Sequence, residues 1–539
     1  MSAASAESVH PRIHLARRVI TPAGPRRAVA VIGGLVAATG EPDELRARFP
    51  GAGETDHGDA VIAPGFRDAH MHPCLAAMSA LEIDVETLQS KDELLSALRE
   101  TARSTPLGGW VRACRYNDAR IGGGRLTRQE LDAVTGGVPT LVGHIAYHWG
   151  VANSAALEAA GFSEDSQPPH GGEFGRDADG RLDGTVYERA FSAFLTGDNE
   201  RAAIIPPHAL EDQLRSLCEL QQRFHAAGIT AVCDAYASPE AIELLTAARA
   251  RDALSMRVSF LVPFDRYSGL RFSGVHSGLG DDRLRFVGVK AFLDGAVAGR
   301  TCLLDEPHAE TGEHGLQSLT DAELAEIVHT VHSAGDPLCV HANGDRAIRL
   351  LLDHVEAAQR EHPRPDLRHR VEHCAFVDEE ILERLSAARM IAVPVSGYVA
   401  FHGGRFIDWY GDRVHRMIAY RSLLDHGVSV AGSSDYPTCP FEPLLGMQSM
   451  VTRTGLDGVE VGVSQRISND AALAAYTTGS ALATGEHGRV GELAPGQLAD
   501  MVVLDDDPLE VAGGEIAAIQ VLGTYIGGKQ VWPNNQPAD

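Results

Sequence analysis

No two of the eight cysteines stand in a Cys-x-x-Cys pair. Cys74, Cys114, Cys218, Cys233, Cys302, Cys339, Cys374 and Cys439 are spread across 539 residues. That spacing excludes a disulfide scaffold, and reduced thiols in a cytoplasmic protein are the expectation. Positive charge is scarce too. There are 47 Lys and Arg against 73 Asp and Glu, a formal net charge of −26. Such a chain repels phosphate backbones and anionic membrane surfaces, so neither nucleic acid nor membrane is an expected partner. No apolar run reaches membrane-spanning length. The opening "MSAASAESVHPRIHLARR" lacks the apolar core of a signal peptide, and its first residues read as a frayed tail. The glycine run in "IGGGRLTRQELD" is followed by no Lys-Ser/Thr, which excludes a phosphate loop. Thr127 and Glu130 in that stretch instead have the spacing of a helix-starting capping box. Internal repeats and low-complexity segments are absent.

What is present is an ordinary soluble balance, 44% hydrophobic and 22% charged. The length predicts one large domain plus a smaller one, or two to three domains. Both ends read as β: "IHLARRVITPAG" and "RAVAVIGGLVAATG" near the start, "GQLADMVVLDDDP" and "IQVLGTYIGGKQVW" near the finish. Between them, from about residue 205, short apolar strands alternate with helices. The strands include "ITAVCDA", "LRFVGVKAFL", "DPLCVHANG", "HRVEHCAF", "RMIAVPVSG" and "VSVAGSSD"; the helices include "LEDQLRSLCELQQRFHAAG", "TDAELAEIVHTVHSAG" and "DEEILERLSAAR". Repeated βα units predict an α/β protein with a parallel sheet, and their number favours a (β/α)8 barrel. Its active site would lie at the C-terminal strand ends. Residues 84–200 are less regular and read as an insertion covering the barrel mouth.

The polar residues at those strand ends carry the chemistry. "FRDAHMH" places Asp68, His70 and His72 on one side of a strand. With 24 histidines in 539 residues, chance alone yields about one His-x-His, so the pair by itself is no evidence of a metal. Three later strands also deliver ligand-type residues at the same edge: His341, His373 and Asp435. Imidazole and carboxylate together suit zinc, manganese, iron or nickel, with zinc the default for hydrolysis. Asp68 could orient the site from behind its ligands. Lys290 sits inside the apolar strand "FVGVKAFLDG". Burial would lower its pKa, and a neutral amine can take up carbon dioxide as a carbamate that bridges two metals. The bland alternative pairs Lys290 with Asp294 or lets it reach water. Cys339 shares the inward face with His341 and reads as barrel filling.

The motifs form an ordered set: "PGFRDAHMH", "GHIAYHWGVANSAAL", "GVKAFLDGAVAGRT", "VHANGDRAI", "RVEHC", "GSSDYP", "TTGSALATG" and "GELAPGQLADMVVLDDDP". Together they resemble the metal-dependent amidohydrolase superfamily, in its family 3 branch, which includes N-substituted formamide deformylases. The resemblance implies a barrel over residues 64–487 and a small β-sandwich built from residues 1–63 and 488–539. "APGF" would mark the crossing between them. It further implies a binuclear metal centre, two zinc ions per chain. His70 and His72 would hold the more buried metal, carboxylated Lys290 would bridge, and His341 and His373 would hold the second. Asp435 would contact the first metal and the nucleophilic water, taking its proton and passing it to the leaving amine. The implied reaction is cleavage of a C–N bond by a metal-activated hydroxide, with no organic cofactor. His148, Arg300, Tyr398, His402 and Trp409 are candidates for contact with a small-molecule substrate, although an ion pair would equally account for Arg300.

The implied substrate is a small amide, an N-substituted formamide or N-acyl amine. A cyclic amide, ester or lactone at the same centre is the alternative, and a non-catalytic binding protein on the same fold is a third. A homodimer, the commonest assembly, is the expectation for oligomeric state.

Overall fold

The computed structural model describes residues 10–145, 147–169, 171–195, 203–309 and 311–533. The first residues, expected to fray, lie outside that range up to residue 9, as does part of the end of the 84–200 segment.

Eight parallel strands pair in chain order: Phe66–Met71, Ile229–Asp234, Arg257–Pro263, Leu284–Phe292, Leu338–Ala342, Arg370–His373, Ile391–Val393 and Ser429–Val430. Helices lie between successive strands, among them Leu210–Ala226, Asp321–Ala334 and Asp345–Glu361. The Asp321–Ala334 helix starts at a Thr320/Glu323 capping box and stops at Gly335 with φ 86°. Only a residue without Cβ adopts that left-handed stop at little cost. The sheet curls. The Ala69 amide donates to the Gly432 carbonyl at 3.0 Å, and the Asp435 amide to the His70 carbonyl at 2.8 Å. These bonds tie the first strand to the chain just past the last. Its outer face packs on the largest apolar cluster, including Val289, Val340, Leu351, Val371 and Ile381. The Arg257–Pro263 strand delivers no ligand-type residue and ends in proline.

The two chain ends do meet. Their strands form one mixed sheet in the order Lys529–Trp532, Val521–Ile526, Met501–Leu504, Val61–Pro64, Arg12–Val19, Arg26–Ile32, Leu35–Gly40. Alternate residues serve opposite faces: Val29 and Val31 join Met501 and Val503 in one cluster, while Ala28 and Ala30 join Ile13 and Leu45 in another. The chain leaves this sheet at Pro64 and enters the parallel sheet at Phe66. Gly65 is the single residue between, and a Cβ there would meet the Thr230 side chain at 2.3 Å. A buried ion pair also joins the two sheets, with Arg257 Nε 2.6 Å from Asp500 Oδ2.

A third sheet of six strands is built from Ile83–Asp84, Val111–Tyr116, Thr140–His144, Trp149–Ala152, Gly172–Arg176 and Leu182–Glu188. The helix Arg128–Thr135 beside it carries both hydrogen bonds of the Thr127/Glu130 capping box. All eight cysteines are free thiols. Among the described residues, no helix is long and apolar enough to cross a membrane.

Candidate metal centre

His70 and Lys290 lie within their strands, and His341 near the end of its own; His72 follows the first strand and Asp435 the last. The segment carrying Asp435 is strapped to the one carrying the histidines. Besides the Asp435-to-His70 bond, the His72 amide donates to the Tyr436 carbonyl at 2.8 Å. His373 closes its strand with φ 69°, and Asp435 has φ 56°. Non-glycine residues hold such backbone only where the surroundings over-determine it, and these positions cluster at functional sites.

These side chains converge. His70, His373 and Asp435 are buried and each offers a ligand atom within 4.8 Å of the other two. Asp435 Oδ1 lies 3.4 Å from His70 Nε2 and 3.3 Å from His72 Nε2. The His341 ring stands 4.5 Å from that of His373. The tightest trio thus draws His70 and Asp435 from one expected metal and His373 from the other.

The partners of each imidazole decide which nitrogen is free. His70 Nδ1 donates to Glu372, which Arg370 grips from the other side, its Nε 2.6 Å and Nη2 2.9 Å from the carboxylate oxygens. His70 Nε2 is therefore the free nitrogen. His341 Nε2 lies 3.1 Å from the Gly295 carbonyl and 2.9 Å from Asn343 Nδ2, leaving Nδ1. Thr438 Oγ1 donates to Asp435 Oδ2 at 2.8 Å, with Tyr398 OH at 3.4 Å, so Oδ1 is left to the histidines. Asp68 accepts the backbone amide of His70 at 3.0 Å rather than its ring. Burial pushes the Asp68 carboxyl up to about 7.

The electrostatics suit a cation. Among the deeply buried nitrogens without a hydrogen-bond partner among the described residues, three lie at this centre: His70 Nε2, His373 Nδ1 and Lys290 Nζ. Unpartnered buried polar atoms are costly and rare. Burial holds His341 and His373 well below the ordinary imidazole value, keeping them neutral. It also lowers the Lys290 amine, against the opposing pull of Glu372 and Asp435. Burial would raise Asp435, but the His70 and His72 imidazoles, 3.4 and 3.3 Å from its Oδ1, hold it well below the usual carboxylate range. Neutral imidazoles, an ionised carboxylate and orphaned lone pairs are the donor set a divalent metal needs. Asp294 is no partner for Lys290: its carboxylate takes the backbone amides of Leu303, Asn343 and Gly344, each at 2.9 Å. Cys339 is buried with Cys233, Ala235, Leu261 and Val287.

Above the centre is a cavity of about 420 Å3. All five expected substrate-contact residues, His148, Arg300, Tyr398, His402 and Trp409, line it together with His341, His373 and Asp435. Trp409 packs 5.8 Å from the His402 ring and 6.0 Å from the Arg300 guanidinium. Burial, with Arg405 adding to it, pulls His402 down to about 3. The six-stranded sheet region supplies one wall through Asn117, Asp118, Arg125, His144 and His148.

Sequence reasoning missed Glu372, Arg370, Asn343 and Glu188. Glu372 was hidden beside His373: in a regular strand neighbours face opposite sides, and only the positive φ at His373 ends that alternation.

The chain was compared with known families and structures. A model described as "Amidohydrolase family" matches residues 54–532, and an imidazolonepropionase-like composite domain of bacteria matches residues 28–52. YtcJ of Bacillus subtilis (strain 168) is 31% identical over 529 residues, 94% of this chain and 96% of that protein. The N-substituted formamide deformylase of Arthrobacter pascens is 30% identical over 525 residues, covering 93% and 94%. A crystal structure of an uncharacterised metal-dependent hydrolase from Pyrococcus horikoshii OT3 superposes with a TM-score of 0.75 at 23% identity, over 94% of this chain and 99% of that one.

Proposed function

The chain belongs to the amidohydrolase family, and we propose that it is a metal-dependent hydrolase cleaving the C–N bond of a small amide. One observation carries the reading: three buried, unpartnered nitrogens gather with the Asp435 carboxylate beneath a cavity of about 420 Å3. In this reading the curled sheet is a (β/α)8 barrel over residues 64–487, with an insertion at 84–200, and the terminal strands form a small β-sandwich. The enzyme works in the cytoplasm, with a homodimer as its assembly.

His70, His72 and Asp435 would hold one metal, His341 and His373 a second, and Lys290, carboxylated, would bridge two zinc ions. A bound divalent metal supplies a nucleophilic water at neutral pH and a Lewis acid for the carbonyl. Asp435 Oδ1 accepts the proton of the attacking water and returns it to the departing nitrogen. Thr438 fixes the carboxylate for both transfers. Tyr398 and Trp409 wall the space above, which suits an N-substituent of apolar or aromatic character. The deformylase of Arthrobacter pascens supports an N-substituted formamide as the first substrate to try.

Metal analysis of the purified protein, with a panel of formamides, N-acyl amines and lactones, tests the reading. About two ions per chain and amide cleavage are expected. Lactone or ester cleavage without amide cleavage would move the assignment to the alternative at the same centre. A metal-free protein whose activity survives His70→Ala and His341→Ala would sink it. The bridge has its own test. Lys290→Ala is expected to lose about one ion per chain and at least tenfold in turnover; unchanged metal content and turnover would eliminate Lys290 as a ligand.

A further inference from the structure

His148 carries more than a place in the cavity wall. Its Nδ1 lies 2.9 and 3.1 Å from the two carboxylate oxygens of Glu188. Glu188 ends one strand of the six-stranded sheet and His148 directly precedes another, both far in sequence from every metal-ligand candidate. The antiparallel register Trp149↔Tyr187 sets them beside each other, and the Glu188 amide donates to the His148 carbonyl at 2.7 Å. Tyr147, just before His148, has φ 55°, and Glu188 itself has φ 48°. A left-handed residue before His148 and another at Glu188 itself mark a geometry that the surroundings enforce.

The pair is oriented inward. The side chains are 15% and 11% exposed, and His148 lines the cavity with His341, His373 and Asp435. Its ring is 5.1 Å from that of His341. With Nδ1 committed to Glu188, Nε2 has no hydrogen-bond partner among the described residues. The buried His225, by contrast, spends both nitrogens on protein groups, the Ile229 carbonyl at 3.0 Å and Ser255 Oγ at 2.8 Å.

We propose that His148, oriented by Glu188, donates a hydrogen bond from Nε2 to the carbonyl oxygen of the substrate as that oxygen gains charge. The inference rests on the amide-hydrolysis reading above. It assigns His148 a catalytic contact and Glu188 a positioning role: the carboxylate turns the ring, accepts from Nδ1–H and, as its counter-charge, favours the doubly protonated imidazolium, whose Nε2 then has a proton to donate. Charge-assisted donation to a developing oxyanion acts more strongly in the transition state than on bound substrate. The insertion would then complete the site as well as wall it.

The test uses metal-loaded wild type with His148→Gln, Glu188→Gln and Glu188→Asp. His148→Gln is expected to lower kcat by about 10²–10³-fold, with KM changed by less than about threefold and metal per chain unaltered. Glu188→Gln should cost about tenfold in kcat, part of it recovered in Glu188→Asp. Calorimetric titration with methylphosphonate, a tetrahedral anion, reads the contact without turnover. Its affinity should weaken at least tenfold in His148→Gln and, to a lesser degree, in Glu188→Gln. A wild-type kcat or a wild-type methylphosphonate affinity in the variants overturns the proposal. So does loss of metal from His148→Gln, which would make His148 a ligand. Should wild type cleave no amide in the panel, the amide reading fails, and the methylphosphonate titration alone decides the dyad. Glu188→Gln keeps the imidazole and serves if His148→Gln does not fold.

Discussion

Asp435→Asn is expected to lower kcat by about 10²–10⁴-fold, the range lost when a positioned general acid–base is removed. The change is nearly isosteric, and Thr438 and Tyr398 can still hold the side chain near its native position. What vanishes is the oxygen able to take a proton. In the native chain Asp435 is ionised despite its burial because the neighbouring His70 and His72 imidazoles outweigh desolvation. The carboxylate is therefore ready at neutral pH, and the variant's loss should appear in kcat more than in KM. Steady-state kinetics on the best amide of the panel, with metal analysis of the same preparation, reads the result. A variant that keeps its metal and turns over at the native rate would remove Asp435 from the proton transfers. A variant that turns over slowly in proportion to lost metal would make Asp435 a ligand only.

Glu372→Ala should give the second large effect, on stability and metal affinity together. Glu372 is fully buried between Arg370 and His70, with Arg370 Nε 2.6 Å from Oε1. Removing one member of a buried ion pair strands the other, at a cost of about 3–5 kcal/mol. The same substitution frees His70 Nδ1, so the ring loses its orientation, and metal affinity should fall about 10–100-fold. Denaturant unfolding and metal titration measure the two effects separately. The double variant Arg370→Met/Glu372→Leu discriminates between them. It should regain much of the stability, since apolar replacement of a buried pair is often neutral, while metal affinity stays low. Native stability and native metal affinity in Glu372→Ala would refute the assignment.

The pH dependence follows with its sign. Burial would raise the Glu372 carboxyl, but Arg370 and then His70 hold it far below its ordinary value of 4.5. A depressed folded-state pKa contributes stability that is complete above the unfolded value and is lost as pH falls toward the folded one. The stability gap between wild type and Glu372→Ala should therefore be full at neutral pH and shrink on acidification below pH 4.5.

Much of this site is legible in the linear chain. His341, His373 and Asp435 each follow an apolar β run, and a parallel sheet sends all such ends to one edge. Lys290 was legible for a different reason: a lysine inside "FVGVKAFL" has no cheap way to stay charged. Asp68 shows the limit of the same logic. Its two-residue spacing from His70 predicts a shared face, yet it holds the backbone of His70, while the ring is held by a residue 302 positions away.

The sequence by itself determined which residue types stand at the strand ends, where helices start and stop, and that both termini are β. These depend on local periodicity, capping and glycine conformation, all written within a few residues. Only the tertiary structure decided that Glu372 turns His70 and that one cavity wall comes from the six-stranded sheet. It alone set the His148–Glu188 pair in one cavity with His341, His373 and Asp435. The physical reason is that such contacts are made between elements distant in the chain, through strand register and a few left-handed residues such as His373 and Glu188. No local pattern encodes them, because the packing of the whole chain is what holds them in place.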